Sequence, residues 1–160
     1  MEGPVTIRRL ESGDVDSVLA IQRSCPGLAQ WTRPDYEAVS RSEMPGWVAV
    51  REEDAHDPTA ATSATIIGFL VARLVPPEME ILNLAVDSTA RRRGTGRALL
   101  AEALHWAAGN GAHKAFLEVR ASNLAAIDFY ESRGFQIAGR RTNYYSAPVE
   151  DALRFAASIG

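Results

Sequence analysis

The chain has 160 residues, 46% hydrophobic and 23% charged, with a formal net charge of −3. That length suits one compact domain over 1–160 that needs no disulfide or metal to fold, and the acidic balance gives no global pull toward nucleic acid or an anionic membrane. A lone cysteine, Cys25, excludes an intramolecular disulfide, and the opening MEGPVTIRRL lacks the basic-then-apolar pattern of a signal peptide. A cytoplasmic protein, monomeric or weakly dimeric, is expected.

Residues 5–10 read as a strand. Ser12-Gly13-Asp14 offers a helix start, and Val15, Val18, Leu19 and Ile21 give an apolar face as far as Ser24, where Pro26-Gly27 stops it. Residues 28–45 lack a clear period, although Arg33-Pro34-Asp35 suits a short helix. A strand is expected at 46–51, then a polar loop at 52–63. Two long strands, 65–75 and 79–86, flank Pro76-Pro77 and should pair as an antiparallel hairpin. Residues 97–108 form a helix with Leu99, Leu100, Ala103, Leu104 and Ala107 on one face, closed by a left-handed cap at Asn110-Gly111. A strand at 114–119, a helix at 123–132 capped by Gly134, and strands at 135–145 and 152–156 complete the chain. The unit 79–119 should be parallel with a right-handed crossover. The expected class is α/β, a central twisted mixed sheet flanked by helices.

The first chemical signal is the loop Arg91-Arg92-Arg93-Gly94-Thr95-Gly96-Arg97 between a strand and a helix. Helix N-termini carry unpaired N–H groups, glycines let an anion approach the backbone, and arginines add forked donors. No Gly-Lys pair is present for a Walker loop, and Leu99 stands where a dinucleotide fingerprint needs its third glycine. A phosphate-bearing ligand or a loop of solvated arginines both fit this pattern.

The second signal is Glu118. Ala115, Leu117 and Val119 line one face of their strand, and Phe116, Glu118 and Arg120 the other. A carboxylate there is either half of an edge ion pair or a general base. Glu80, on the neighbouring strand, is the reserve candidate. In the following helix, Asn123 and Tyr130 lie nearly two turns apart on one stripe, with Ile127 between them. They are either a cap and a core tyrosine, or two groups facing a ligand. His56, His105 and His113 show no metal-ligand spacing, so no metal is expected. Trp47, Trp106, Phe69 and Phe135 read as core, and Cys25 as a structural thiol.

Arg91-x-x-Gly94-x-Gly96 resembles the Q/R-x-x-G-x-G/A signature of the GNAT acetyltransferase superfamily. The likeness covers nearly the whole chain and is strongest from Glu80 to Tyr145. Residues 80–87, 117–135 and 140–145 are similar to the bacterial ribosomal-protein-alanine N-acetyltransferases, the RimI type. The resemblance implies a GNAT fold and acetyl-CoA as co-substrate. The amides of Arg91, Arg92, Arg93, Gly94, Thr95, Gly96 and Arg97 would hold the pyrophosphate. Leu84, Ala85 and Val86 would pair with the pantetheine arm and supply an oxyanion donor. By the same likeness Asn123 binds the cofactor, Glu118 is the base and Tyr130 the acid that protonates the leaving thiolate. Trp31, Tyr144 and Tyr145 would border an acceptor protein N-terminus, that of a small-subunit ribosomal protein beginning with alanine. The segment around Trp31 and the loop at 52–63 depart from the family's usual pattern. A small-amine acetyltransferase and a non-catalytic acyl-CoA sensor are the alternatives. Tyr144-Tyr145 favours a peptide over the first, and the retention of Glu118 with Tyr130 disfavours the second.

Overall fold

A computed structural model of the chain describes residues 2–25, 27–39, 43–53 and 63–159. Pro26, His56 and most of the expected 52–63 loop lie outside the described residues. In chain order the elements are β1 (Glu2–Arg9), α1 (Val15–Arg23), α2 (Arg33–Glu37), β2 (Gly46–Glu53), β3 (Ala64–Val75), β4 (Glu78–Val86), α3 (Thr95–Gly109), β5 (Lys114–Arg120), α4 (Leu124–Ser132), β6 (Gln136–Ser146) and β7 (Val149–Ser158). The seven strands make one sheet in the order β1-β2-β3-β4-β5-β7-β6. Only β4 and β5 are parallel; the other neighbours are antiparallel. A helical crossover, α3, joins the parallel pair, as the strand–helix–strand pattern requires.

Two apolar layers flank the sheet. On one face α3 and α4 pack over Trp47, Leu70, Met79, Ile81, Leu117 and Phe155. On the other, α1 and α2 cover Val48, Phe69, Val71 and Ala85. α1 buries Val15, Val18 and Ile21, the face its spacing predicts. A 3-10 turn, Ser12–Asp14, precedes it. Asp14 is buried there against Arg8 through two bonds of 2.7 and 2.8 Å and accepts the Glu11 N–H at 2.8 Å. α2 starts on a capping box in which Thr32 accepts from the Asp35 amide, with proline in its first turn.

Several boundaries differ from the sequence reading, β1 starting at Glu2 among them. β2 runs on to Glu53, into the expected loop. α3 begins at Thr95, because Gly94 takes the left-handed conformation (φ 81°) and frees the next residue to be helical. β7 begins at Val149, so Glu150 and Asp151 are strand residues. Their side chains bond β6 and the end of β5, and this pairing overrides the low strand propensity of acidic residues.

Candidate active site

β4 and β5 share rungs only from Glu78↔Lys114 to Ile81↔Leu117. β4 continues to Val86 and β5 to Arg120, so the two strands part beyond that point. The parting coincides with a bulge. β3 pairs Val71 with Asn83 and Ala72 with Ile81, leaving Leu82 as the extra residue. Strict alternation from Met79 and Ile81 would send Asn83 and Ala85 toward α3. Instead Asn83 and Ala85 face the α1–α2 layer, while Leu84 and Val86 pack against the α3–α4 layer. The bulge thus reverses the parity of the strand segment that borders the cleft.

At the far end of β4, Asp87 accepts from the amide and hydroxyl of Thr89 at 2.9 and 2.8 Å and shapes the entry to the arginine loop. The Thr89 amide, then its hydroxyl, hold this carboxyl below the usual range. Arg92 (φ 66°) and Gly94 (φ 81°) are both left-handed. The Ala98 amide bonds the Gly94 carbonyl at 2.9 Å, so the amides of Thr95, Gly96 and Arg97 precede the first bond of the α3 ladder. Thr95 is buried, and the arginines at 91, 92, 93 and 97 are exposed. The Arg91 side chain, however, folds back. Its Nε donates to the Val86 carbonyl at 3.2 Å, and its guanidinium lies 3.0 Å from Cys25 Sγ. Arg91 therefore braces the end of β4 against the end of α1.

Glu118 has a side chain only 13% exposed, and its Oε1 accepts from Arg141 Nε at 3.1 Å. The ion pair raised as one alternative is present, on the strand that parts from β4. The Arg141 guanidinium lies 5.3 Å from the centre of the Tyr144 ring. The Tyr144 phenol is raised, first by the charge of Glu118 and then by burial, and Glu80 adds to the effect. Burial, then the Glu118 charge, raises Tyr145 as well. Tyr144 and Tyr145 meet edge-on at 5.1 Å, and Arg120 lies over the Tyr145 ring at 4.2 Å. Glu80 sits opposite Phe116, two residues before Glu118 in register.

Asn123 is the N-cap of α4, its Oδ1 accepting from the Ala126 amide at 3.2 Å. The Ser122 amide just before it donates to Glu150 at 2.6 Å. Tyr130 is buried, edge-on to Phe129 at 5.1 Å and to Phe135 at 5.6 Å. Burial pushes its phenol well above the ordinary value.

Sequence reasoning missed one group. Asn83, buried in β4, donates to the Ala29 carbonyl at 3.2 Å and to the Tyr36 hydroxyl at 3.1 Å. The Tyr36 hydroxyl donates to Gln22 Oε1. Gln22 also clamps the backbone of Trp31, accepting its N–H at 3.1 Å and donating to its carbonyl at 2.8 Å. The Trp31 ring rests on Tyr36 at 5.2 Å. This chain of bonds ties the Trp31 segment to the β4 bulge. The signal in the sequence was a lone amide inside an apolar strand, which has to find partners when buried.

The open start of α3 and the carboxylate-bearing strand β5 thus lie at the parting of a central parallel pair. Residues 15–135 match the acetyltransferase (GNAT) family, and the chain belongs to that family. It is similar to the ribosomal protein bS18-alanine N-acetyltransferase of Escherichia coli strain K12, 43% identical over 93 residues, 57% of this chain and 63% of that protein. It is also similar to the N-alpha-acetyltransferase RimI of Mycobacterium tuberculosis, 38% identical over 105 residues, 63% of this chain and 65% of that one. The matched stretch thus spans less than two thirds of either relative. The crystal structure of the ribosomal-protein-S18-alanine N-acetyltransferase from Escherichia coli superposes with a TM-score of 0.81 at 30% identity, covering 98% of this chain and 95% of that one.

Proposed function

We propose that this chain transfers the acetyl group of acetyl-CoA to the N-terminal α-amine of a protein, and that its acceptor is the N-terminal alanine of a small-subunit ribosomal protein. The observation that carries this reading is the setting of Glu118. It stands on the strand that parts from β4, beside Arg141 and Tyr144, with the open start of α3 at the end of β4. The relatives named as ribosomal protein bS18-alanine and ribosomal-protein-S18-alanine N-acetyltransferases support the choice of acceptor.

In this reading the amides of residues 91–97 hold the pyrophosphate of acetyl-CoA, and Arg92, Arg93 and Arg97 supply charge. Leu84, Ala85 and Val86 lie along the pantetheine arm, a backbone N–H among them receives the oxyanion, and Asn123 borders the cofactor. Glu118 takes a proton from the acceptor ammonium, directly or through water. An α-amine, with a reference pKa of about 7.7–8.0, asks less of that base than a lysine at about 10.4. The free amine attacks the thioester carbon. The C–N bond forms, the nitrogen sheds its second proton, the C–S bond breaks and the thiolate takes the proton of Tyr130; solvent returns a proton to the phenol, so that one proton is released overall. Burial suits Tyr130 to this role by keeping its phenol protonated. Trp31, Tyr144 and Tyr145 flank the entering N-terminus.

Turnover of acetyl-CoA against short peptides with different first residues, beside spermidine and free amino acids, tests the proposal. Peptides beginning with alanine should be acetylated with the highest kcat/KM. Activity confined to the small amines would overturn the protein acceptor.

A further inference from the structure

We propose that Asp151 is a positioning residue that fixes the acceptor side of the site, by latching a bulge in β6 that brings Arg141 and Tyr144 together on Glu118. The inference rests on the reading of Glu118 given above.

Arg141 and Tyr144 are three residues apart. On a regular strand they would point to opposite faces of the sheet. Here they lie on one side: Arg141 reaches the Glu118 carboxylate at 3.1 Å, and its guanidinium lies 5.3 Å from the centre of the Tyr144 ring. The register explains how. β6 pairs Arg141 with Ala152 and then resumes at Tyr145 with Glu150, so residues 142–144 face the single residue Asp151. Asn143 turns the chain in the left-handed conformation, φ 52°. Such an excursion takes backbone groups out of the ladder, and they need other partners. Asp151 supplies them. Its Oδ1 accepts the Asn143 N–H at 2.9 Å, and its Oδ2 accepts Arg140 Nε at 2.6 Å. The Asn143 amide, then Arg140, hold the Asp151 carboxyl below the usual range, as expected of a carboxylate bonded in its charged form. The Asp151 carbonyl accepts from the Ala121 amide at 3.0 Å, one residue beyond the strand that carries Glu118. One residue therefore joins the bulge of β6 to the end of β5.

The consequence falls on the acceptor alone. Arg141 and Tyr144 fix the orientation of the Glu118 carboxylate, and so where an incoming ammonium meets it. The cofactor loop and α3 lie on the other side of the parted strands and do not depend on the latch.

The test compares Asp151→Ala, Asp151→Asn and Asn143→Pro with the parent. Asn143→Pro removes the same amide donor and forbids a positive φ. Asp151→Ala and Asn143→Pro should each raise the KM for an alanine-initiated peptide about tenfold, with the acetyl-CoA Kd within about twofold. Asp151→Asn, which keeps one neutral acceptor, should fall between. In a Tyr144→Phe background the Asp151→Ala effect on peptide KM should shrink, since both act through one contact. Spectrophotometric titration of tyrosine, against Tyr144→Phe as the blank, gives a readout independent of turnover. The Tyr144 phenol should move down toward its ordinary value once Glu118 is out of reach. Glu118→Gln is run beside them. Full turnover in that variant defeats the base and leaves the latch to be judged by the titration. An unmoved Tyr144 titration, or a cofactor Kd that weakens in step with peptide KM, overturns the latch.

Discussion

Tyr130 has two consequences drawn from one setting. Phe129 and Phe135 wall it in edge-on, and burial alone raises its phenol. A phenol so placed loses its proton reluctantly in solution, yet a thiolate formed beside it offers a local and strongly basic acceptor. Tyr130→Phe keeps the ring and its packing and removes only the hydroxyl. Its kcat should fall about 10²- to 10⁴-fold, the range general-acid groups contribute, with the acetyl-CoA Kd within about twofold. Single-turnover measurement at saturating cofactor checks this, and an unchanged rate would remove Tyr130 from the chemistry. Arg91 teaches a different lesson. Its place in the signature suggested a charge for phosphate, but its side chain is engaged by the Val86 carbonyl and Cys25.

At the scale of the element, β4 matters more than any residue on it. Alternation of apolar and polar side chains correctly marked a strand at 79–86, but it holds one parity throughout and carries no sign of the extra residue at Leu82. Nor did it reveal the longer excursion at 142–144, because Asn143 is the only residue there with a clear tolerance for positive φ. Strands, crossover and glycine loop were legible because each rests on local pattern. The polar chain from Asn83 to Tyr36 to Gln22 was not, because it joins residues far apart in sequence that only the finished sheet brings together. Asn83→Asp tests its worth. The change keeps the shape but leaves a buried carboxylate facing the Ala29 carbonyl with no proton to donate. Destabilisation of about 2–4 kcal/mol is expected near neutral pH. Burial raises the pKa of such a carboxyl in the folded state, so the penalty is present at high pH and shrinks as falling pH protonates it. Urea unfolding at pH 8 and pH 5 reads this directly, and equal losses at both would contradict it.

On the scale of the whole molecule, α3 and α4 share one layer while α1 and α2 occupy the other, and the cleft lies where the central parallel pair opens. Membership of the GNAT family follows from a match over 15–135, and β6 and β7 lie beyond it. Cohesion between the two halves of the sheet passes through four rungs, Glu78 to Ile81 against Lys114 to Leu117. Past those rungs, the β4 amides turned toward β5 have no strand to shield them. In hydrogen–deuterium exchange on the free protein, residues 82–86 should therefore exchange faster than β3 at their backs. Acetyl-CoA should slow them by more than about tenfold while leaving β1 and β2 unchanged. Equal protection along β4 with and without ligand would count against the pairing of 84–86 with the pantetheine arm. On that pairing the cofactor would act as the missing strand of this sheet, and the free protein would be a sheet awaiting completion.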